Sequence, residues 1–462
     1  MKIKTDCIPL HQQFAQVPNA AAKLNKKALC IYAATGFFLG EDDFFENRKV
    51  LQPGQTYTLD EQGAIKHQEA HFKWQYQPRN ISFQTAVDEF TDLYEQILKE
   101  QAAGHKVLLP LSGGLDSRSQ AAGLKHIGAE VSSYSYAFTR GYPEHQLSEK
   151  IARVCAFPFQ GFLIPPGYLW SVIEDLVKIN SGYSEFTHAR QMAVLDAFKQ
   201  MQGEFSLGHW GDVLFDRGIA AADEGKDDVV ILYKKIIKKG GLALAEALWK
   251  QWELAGDFQD YLKSRLSALL AKIEIEHQGA RIRAFKSLYW APRWTSINLQ
   301  IFEQAHPIHL PYYDERMCRF IMELPESFLA DRRIQIAYIK QRNPGLAKIT
   351  WQAQKPFNLY TYPYNKMPYN LAYRVQQKLK RSLQAALGQA YVQRNWELQF
   401  LGERNDQQLQ TYLQREAFVD WVGADSIDKI YKGFKNQDAV FYSHPLSMLL
   451  TLSALQRYGL KN

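Results

Sequence analysis

The sequence has few cysteines, no long apolar run and no strongly basic stretch. Its 4 cysteines in 462 residues include no C-x-x-C pair, which excludes a disulfide framework or a clustered zinc site as the organising feature. No window approaches the roughly 18 apolar residues that a membrane helix needs. The N-terminal segment MKIKTDCIPLHQQFAQVPNAAAKL lacks the continuous apolar core of a signal peptide. We therefore expect a cytoplasmic protein without a membrane span.

The charge balance gives a weak indication of partners. The chain has 55 Lys and Arg against 48 Asp and Glu, a net charge of +7, and its basic residues form no run of the length typical of a nucleic-acid arm. This balance mildly favours anionic ligands. We expect no nucleic-acid partner, and the oligomeric state stays open.

The hydrophobic pattern divides the chain into three parts. Residues 1–80 contain short β-like runs, ALCIYAATGFFLG and QTYTLDEQGAIKH, and form a small β-rich region. Residues 81–225 begin with a helix and then alternate strands such as KVLLPL, VSSYSYAF and FQGFLI with helices, which indicates βαβ units and a parallel sheet. Residues 226–462 are mainly helical. The predicted fold class is α/β.

The stretch PLSGGLDSR, residues 110–118, lies between the strand KVLL and a helical pattern. In an open parallel sheet, ligands bind beyond the carboxyl ends of strands, where the following helices begin. The glycines let backbone amides approach an anion, and the serine hydroxyls can donate further hydrogen bonds. Asp116 would repel phosphates unless Mg²⁺ lay between them. The loop therefore predicts a phosphate site with a metal ion.

Other interpretations of this loop are weaker. It lacks the spacing of a Walker A motif and the G-x-G-x-x-G of a dinucleotide fold. A glycine turn followed by a helix N-cap is the structural alternative, with Ser112 or Asp116 as the capping residue.

At these residues the sequence resembles a known family. SGGLDSR is similar to the pyrophosphate-binding loop of the adenine nucleotide α-hydrolases (PP-loop ATP pyrophosphatases, with a HUP or Rossmann-like sheet), and specifically of asparagine synthetases and β-lactam synthetases. Later segments resemble that group in the same order: GYPEHQLSEKIARVCAFPFQGF, FSLGHWGDVLFDRG, IHLPYYDERMCRFIMELPESF and TWQAQKPFNL. The resemblance covers roughly residues 85–360 and is most specific at the first loop.

The resemblance implies an activity and a set of site residues. The activity is ATP cleavage to AMP and pyrophosphate while a carboxylate is adenylated, followed by attack of an amine to give an amide. ATP and Mg²⁺ are the implied cofactors, and the substrates are a small-molecule or peptide carboxylate and an amine. The implied pyrophosphate cradle is Ser112, Gly113, Gly114 and Ser117. The implied Mg²⁺ ligands are Asp116 and Asp212, the residues near the adenosine pocket are Tyr136 and Gly208, and the charge-stabilising lysine is Lys355.

The sequence departs from the family in two places. Glutamine-using members carry a cysteine directly after the initiator methionine, whereas here position 2 is Lys2 and Cys7 is internal, so we expect no glutamine hydrolysis. The region before residue 80 resembles only the last strands of their glutaminase domain. In GHWGD, His209 stands where asparagine synthetases have a glutamate, and its imidazole would suit a general base.

Two segments leave alternatives open. In RAFKSLYWAPRWTSINLQIF no acid precedes Glu303, and Arg293 with the aromatics around it could form core packing or a substrate wall. The segment LAYRVQQKLKRSLQAAL repeats apolar residues every four positions beside basic ones, which is typical of a helix on a membrane or an acidic substrate. We expect instead a helix that faces the core with a solvated basic side.

The leading functional prediction is an ATP-dependent amide-forming ligase or cyclase that does not use glutamine. The alternatives are a nucleotide-binding partner protein of the same fold without catalysis and a tRNA-modifying PP-loop ATPase. Sulfur-transferring members of the last class need catalytic cysteines, for which Cys155 and Cys318 lack a suitable setting.

Overall fold

The computed structural model describes residues 1–5, 13–139, 141, 143–186, 189–387 and 397–458. The strands are β1 Lys2–Lys4, β2 Phe14–Gln16, β3 Arg48–Val50, β4 Gln55–Leu59, β5 Ile65–Ala70, β6 Val107–Pro110, β7 Val131–Phe138, β8 Phe159–Ile164, β9 Glu204–Ser206 and β10 Ile308–His309. The first eleven helices are α1 Lys26–Thr35, α2 Phe83–Gln101, α3 Asp116–His126, α4 His145–Cys155, α5 Tyr168–Asn180, α6 Leu195–Gln200, α7 Gly211–Leu214, α8 Asp228–Ile236, α9 Gly241–Gln251, α10 Phe258–Leu270 and α11 Gln278–Phe285. The remaining α-helices are α12 Thr295–Glu303, α13 Glu315–Met322, α14 Glu326–Leu329, α15 Arg333–Arg342, α16 Pro344–Lys348, α17 Leu371–Ala386, α18 Glu403–Leu413, α19 Glu416–Val422, α20 Ala424–Asn436 and α21 Ala439–Tyr458.

A parallel sheet of five strands in the order β10-β9-β6-β7-β8 forms the centre of the fold. Both faces of the sheet are covered. Leu108 of β6 packs with Phe198 and Phe205 on one side, while Val107 and Leu109 join the larger core on the other. Burial on both faces explains why KVLL reads as a continuous apolar run rather than an alternating one. The α/β fold class and the parallel sheet are confirmed.

The order of the strands creates a crevice. From β6 the chain proceeds outward through β7 to β8, and it then returns to the other side of β6 as β9 and β10. The connections that follow β6 and β9 therefore leave in opposite directions. Such a point, at the carboxyl ends of the strands, is where open α/β sheets bind ligands.

The described residues of the N-terminal region form five short strands and one helix. The hairpin of β4 and β5 is as expected, with Gly63 at φ 81° in its turn. The expectation of a β-like run in ALCIYAATGFFLG is wrong, because α1 covers Lys26–Thr35. Asn25 caps this helix by accepting a hydrogen bond from the Ala28 amide, and Gly36 ends it at φ 81°. Residues 28–35 are all buried, so they show no period of 3.6 that would identify a helix from sequence.

One hydrophobic core joins parts of the chain that are distant in sequence. It extends from Ala28 in α1 to Leu455 in α21 and includes Leu109 of the sheet. Arg293 is buried and donates hydrogen bonds to the carbonyls of Gly40 and Asp42, at 2.8 and 2.7 Å. Of the two alternatives for Arg293, the structure therefore shows core packing. The boundaries near residues 80 and 225 stay predictions.

Helix α17 does not face the core. The side chains at its four-residue spacing are exposed, including Leu379 at 65% and Leu383 at 63%. The expectation of a core-facing helix is wrong, because no described element packs over this apolar stripe. Within the described ranges, no helix combines the length and apolar content that crossing a bilayer would require.

Candidate functional site

Two loops meet beyond the carboxyl ends of β6 and β9. The first, residues 111–115, connects β6 to α3, and the second, residues 207–210, connects β9 to the short helix α7. A cavity of about 350 Å³ lies between them. The predicted site residues that line this cavity are Ser112, Asp116, Ser117, Tyr136, Gly208, His209 and Asp212. Three further predicted residues, Gly113, Gly114 and Lys355, are not among its described lining.

The serines of the first loop are joined to each other. The two hydroxyls of Ser112 and Ser117 lie 3.1 Å apart, and the Ser112 amide donates to Ser117 Oγ at 3.1 Å. The Gly114 amide donates to Ser112 Oγ at 3.2 Å. These bonds hold the loop in a turn with the Ser112 side chain at its exposed rim.

Helix α3 begins without a side-chain cap. Its N-cap residue is Leu115, and no side chain accepts a hydrogen bond from the amides of the first turn. The alternative of Ser112 or Asp116 as a capping residue is therefore wrong. The first amides of a helix need an external partner, and their partial positive charge suits an anion.

Glycines in both loops are required by close packing. A Cβ on Gly113 would lie 2.4 Å from Gln352 Oε1, and one on Gly208 would lie 2.7 Å from Gln120 Oε1. A Cβ on Gly211 would lie 2.4 Å from Asp116 Oδ1. The glycines of GHWGD thus allow the second loop to approach the start of α3.

Asp116 is the most heavily contacted acid of the site. Arg332 forms an ion pair with its Oδ1, and Gln335 donates to the same oxygen at 3.0 Å. No described residue hydrogen-bonds its Oδ2. Burial and the neighbouring Asp212 raise the pKa of Asp116 to about 6, against the opposing effect of Arg332. Two carboxylates at one cavity favour binding of a cation.

Arg332 was not identified from the sequence, although its backbone is unusual. Asp331 and Arg332 have φ values of 57° and 62°, in the left-handed region that side chains rarely adopt. Such conformations cost about 1–3 kcal/mol each and are concentrated at functional sites. Nothing in ADRRIQ distinguishes this arginine, because its role depends on α15 lying beside α3.

His209 is neutral at physiological pH. Burial lowers the pKa of its imidazole to about 4, and Asp212 opposes that shift only in part. Its Nδ1 is buried and makes no hydrogen bond within the described chain. An unpaired buried nitrogen on the cavity wall is free to accept or donate one bond to a ligand.

Arg118, the last residue of the quoted motif, connects the first loop to the segment that carries Lys355. Its side chain is fully buried and donates to the carbonyls of Ile349 and Thr350 at 3.0 and 2.9 Å. It also donates to the carbonyl of Gly113 at 3.3 Å. Lys355 is half-buried, and burial lowers the pKa of its amine. The structure thus brings this segment to the loop without placing Lys355 in the described cavity wall.

Two other residues near the site, Arg190 and Lys286, were not assigned a role from sequence. Arg190 lines the cavity and lies over the ring of Tyr136, with 5.4 Å between the guanidinium carbon and the ring centroid. Trp294, one of the aromatics for which core packing and a substrate wall were left open, also lines the cavity, which favours the wall. Lys286 is half-buried near Asp212, and burial followed by the charge of Lys235 lowers the pKa of its amine to about 7.

The described cysteines do not form a redox or thiol-transfer site. Cys30, Cys155 and Cys318 are all buried, and burial raises the pKa of Cys155 to about 12. A thiol of that kind is unreactive. Cys7 lies outside the described residues.

Models of known protein families give no match to this chain, and a comparison with curated proteins gives none either.

Proposed function

We propose that the protein is an ATP-dependent, AMP-forming ligase that adenylates a carboxylate and joins it to an amine. The observation that carries the proposal is the shared cavity of Ser112, Ser117, Asp116 and Asp212 at the switch point of the sheet. Two hydroxyls, an uncapped helix start and two carboxylates match the needs of a polyphosphate with a divalent cation. The resemblance of SGGLDSR to PP-loop enzymes gives the reaction class.

The acidic residues fit Mg²⁺. This ion prefers carboxylate oxygens and the oxygens of substrate phosphates. Asp116 Oδ2 and the exposed carboxylate of Asp212 would hold it, while Arg332 keeps Asp116 Oδ1 in place. Bound Mg²⁺ would neutralise the negative charge that develops on the leaving pyrophosphate.

The remaining residues bind and position the substrates. In the first step a carboxylate oxygen attacks the α-phosphorus of ATP, and the bond to pyrophosphate breaks. In the second step the amine attacks the acyl carbon, AMP leaves and the amine loses a proton. His209, neutral and with Nδ1 unpaired, contacts the incoming amine. The resemblance gives Lys355, which lies outside the described cavity wall, the role of stabilising the negative charge on the reacting acyl phosphate.

Calorimetry of MgATP binding tests the site. Asp116→Asn keeps the shape and the contact with Gln335 but removes the charge, so we expect affinity to fall by at least about tenfold in Mg²⁺. Asp196→Asn is the matched control, since Asp196 is 97% exposed beside Lys199. Equal affinity of wild type and Asp116→Asn would remove the metal assignment.

Product analysis over a panel of carboxylates tests the reaction. We expect AMP and pyrophosphate only with the correct acid, whereas ADP would place the protein in another ligase class. Lys355→Gln should lower the overall rate by about 10²–10³-fold. His209→Gln should slow amide formation but leave exchange of pyrophosphate into ATP intact. Loss of both reactions in His209→Gln would show that His209 positions the nucleotide instead.

A second candidate is a nucleotide-binding protein of this fold without catalysis. The observation that favours it is the occupation of Asp116 Oδ1 by Arg332 and Gln335, which leaves one oxygen for a metal ion. The panel separates the two candidates, because this protein would bind MgATP and release no pyrophosphate with any acid.

A further inference from the structure

Two histidines and a glutamate meet near the amino ends of β6 and β9, away from the nucleotide cavity. His309 Nε2 lies 2.6 Å from Glu204 Oε2, and His105 Nε2 lies 3.6 Å from the same oxygen. The two imidazole rings stack in parallel, with centroids 5.3 Å apart and 7° between their planes. One ligand atom from each residue lies within 4.8 Å of the others.

A second observation points to a ligand here. His105 Nε2 is buried and makes no hydrogen bond within the described residues. Two donor atoms on one tetrahedral zinc ion stand roughly 3.3 Å apart, given zinc–ligand distances near 2.1 Å. The observed 2.6 and 3.6 Å separations bracket that value.

We propose that His105, Glu204 and His309 bind one zinc-like divalent ion, with a fourth position open to water. The ion would link the edge strand β10 and its neighbour β9 to the residues before β6. Two imidazoles and one carboxylate are a common donor set for zinc.

Measurement of bound zinc tests this site. The full chain is treated with a chelator, supplied with Zn²⁺ and dialysed, and its zinc content per chain is then measured. We expect one zinc ion per wild-type chain. Glu204→Gln should lower the zinc affinity by more than about 100-fold, which exceeds the loss typical when a residue that only contacts the metal ligands is replaced. The control is Glu95→Gln, since Glu95 lies 3.6 Å from His126 but has no third ligand residue nearby in the described part of the chain. A circular dichroism spectrum equal to wild type shows that each variant is folded. Equal zinc in both variants, or none in wild type, would overturn the proposal.

A different observation concerns the exposed surface around α17. We call this the α17 surface, and its members share large apolar side chains that are 47–65% exposed. They are Tyr364, whose ring contacts Tyr369, then Tyr369 itself, Leu371, Val375, Leu379, Leu383 and Leu387. Soluble proteins rarely leave so many large apolar side chains together in water unless the patch binds something.

The charge around this surface is one-sided. Residues 364–387, which carry the α17 surface, contain 5 Lys and Arg and no Asp or Glu. Lys378 and Arg381 lie between the exposed leucines of α17. Such segregation orients a molecule toward an anionic surface.

We infer that the α17 surface binds a membrane that contains anionic lipid, with α17 lying in the plane of the interface. The aliphatic stripe would enter the acyl boundary, the basic residues would contact headgroups, and the tyrosines suit the interfacial layer. A nucleic acid would use the basic residues but would gain nothing from exposed leucines and valine. The combination of both features favours a lipid surface.

Flotation of the full chain with vesicles tests this inference. We compare pure phosphatidylcholine vesicles with vesicles that contain about one-third phosphatidylserine, because the basic residues should respond to surface charge. Wild type should float with the anionic vesicles and less so at high salt. Leu379→Ser with Leu383→Ser should weaken binding by at least about tenfold, from the apolar area lost.

The matched control is Leu163→Ser, since Leu163 is equally exposed at 66% but lies on β8. Lys378→Gln with Arg381→Gln should lower binding to anionic vesicles only. Flotation of the leucine variant at the wild-type level would overturn the inference. The inference would also be overturned if wild type did not float and the leucine variant had a different oligomeric state from wild type. That result would assign the surface to a second copy of the chain.

Discussion

Replacing Arg118 with methionine should separate the first loop from the segment that precedes Lys355. The guanidinium is fully buried and makes two short hydrogen bonds, to the carbonyls of Ile349 and Thr350 at 3.0 and 2.9 Å. Methionine retains the apolar stem and removes only the donors. The carbonyls that lose this donor include that of Gly113, within the loop itself.

The expected loss of local stability in Arg118→Met follows from those hydrogen bonds. A hydrogen bond from a charged group contributes about 1.5–3 kcal/mol net, so the two short bonds give about 3–6 kcal/mol. Burial lowers the pKa of Arg118 to about 10, which shows that the charge itself is costly to bury, and methionine relieves that cost. We therefore expect the lower end, about 3 kcal/mol of local stability, which corresponds to roughly 100-fold faster amide exchange.

Hydrogen exchange measured by mass spectrometry checks this prediction. Peptides that cover 110–118 and 346–355 should lose protection together, while peptides from β4 and β5 should not change. Arg153→Met on α4 is the control, since that side chain is 75% exposed and, among the described residues, forms its ion pair with Glu149 alone. Faster exchange in one of the two segments alone, or the same profile in both variants, would refute the proposed connection.

Two further predictions concern packing and protonation. Gly211→Ala should lower MgATP affinity by at least about tenfold, because the new Cβ would lie 2.4 Å from Asp116 Oδ1. Calorimetry measures the loss. Gly161→Ala is the control and should show no such loss, because its Cβ would have its nearest neighbour 3.8 Å away. His444 is buried, and burial lowers the pKa of its imidazole to about 4. In the unfolded chain the imidazole has its ordinary pKa of about 6.5, so as the pH falls the unfolded chain takes up the proton before the folded chain does. The stability that His444 contributes is therefore complete above pH 6.5 and is lost toward pH 4, by about 2 kcal/mol at pH 5. Denaturant unfolding of His444→Gln should show a correspondingly smaller loss between pH 7 and pH 5, and identical losses would contradict the assignment.

Much of the sheet could be predicted because its signals are local. The quoted segments VSSYSYAF and FQGFLI coincide with β7 and β8, and the helix expected at the start of residues 81–225 is α2. The first loop was identified because glycines, serines and an aspartate follow a strand directly. The strand order was not available from the sequence, since pairing across β6 depends on contacts between residues about a hundred positions apart.

The sequence by itself determined the alternating α/β pattern, the first loop and the residue types at the cavity. Only the tertiary structure decided which distant side chains complete the site. Arg332 and Gln335 reach Asp116 because α15 packs against α3, and no pattern within α15 indicates that neighbour. The same holds for α1, whose burial on all sides removes the helical period, and for α17, whose amphipathic pattern predicts a buried face that the fold leaves exposed. A local pattern specifies which side of an element is apolar, whereas the partner for that side is set by the packing of the whole chain.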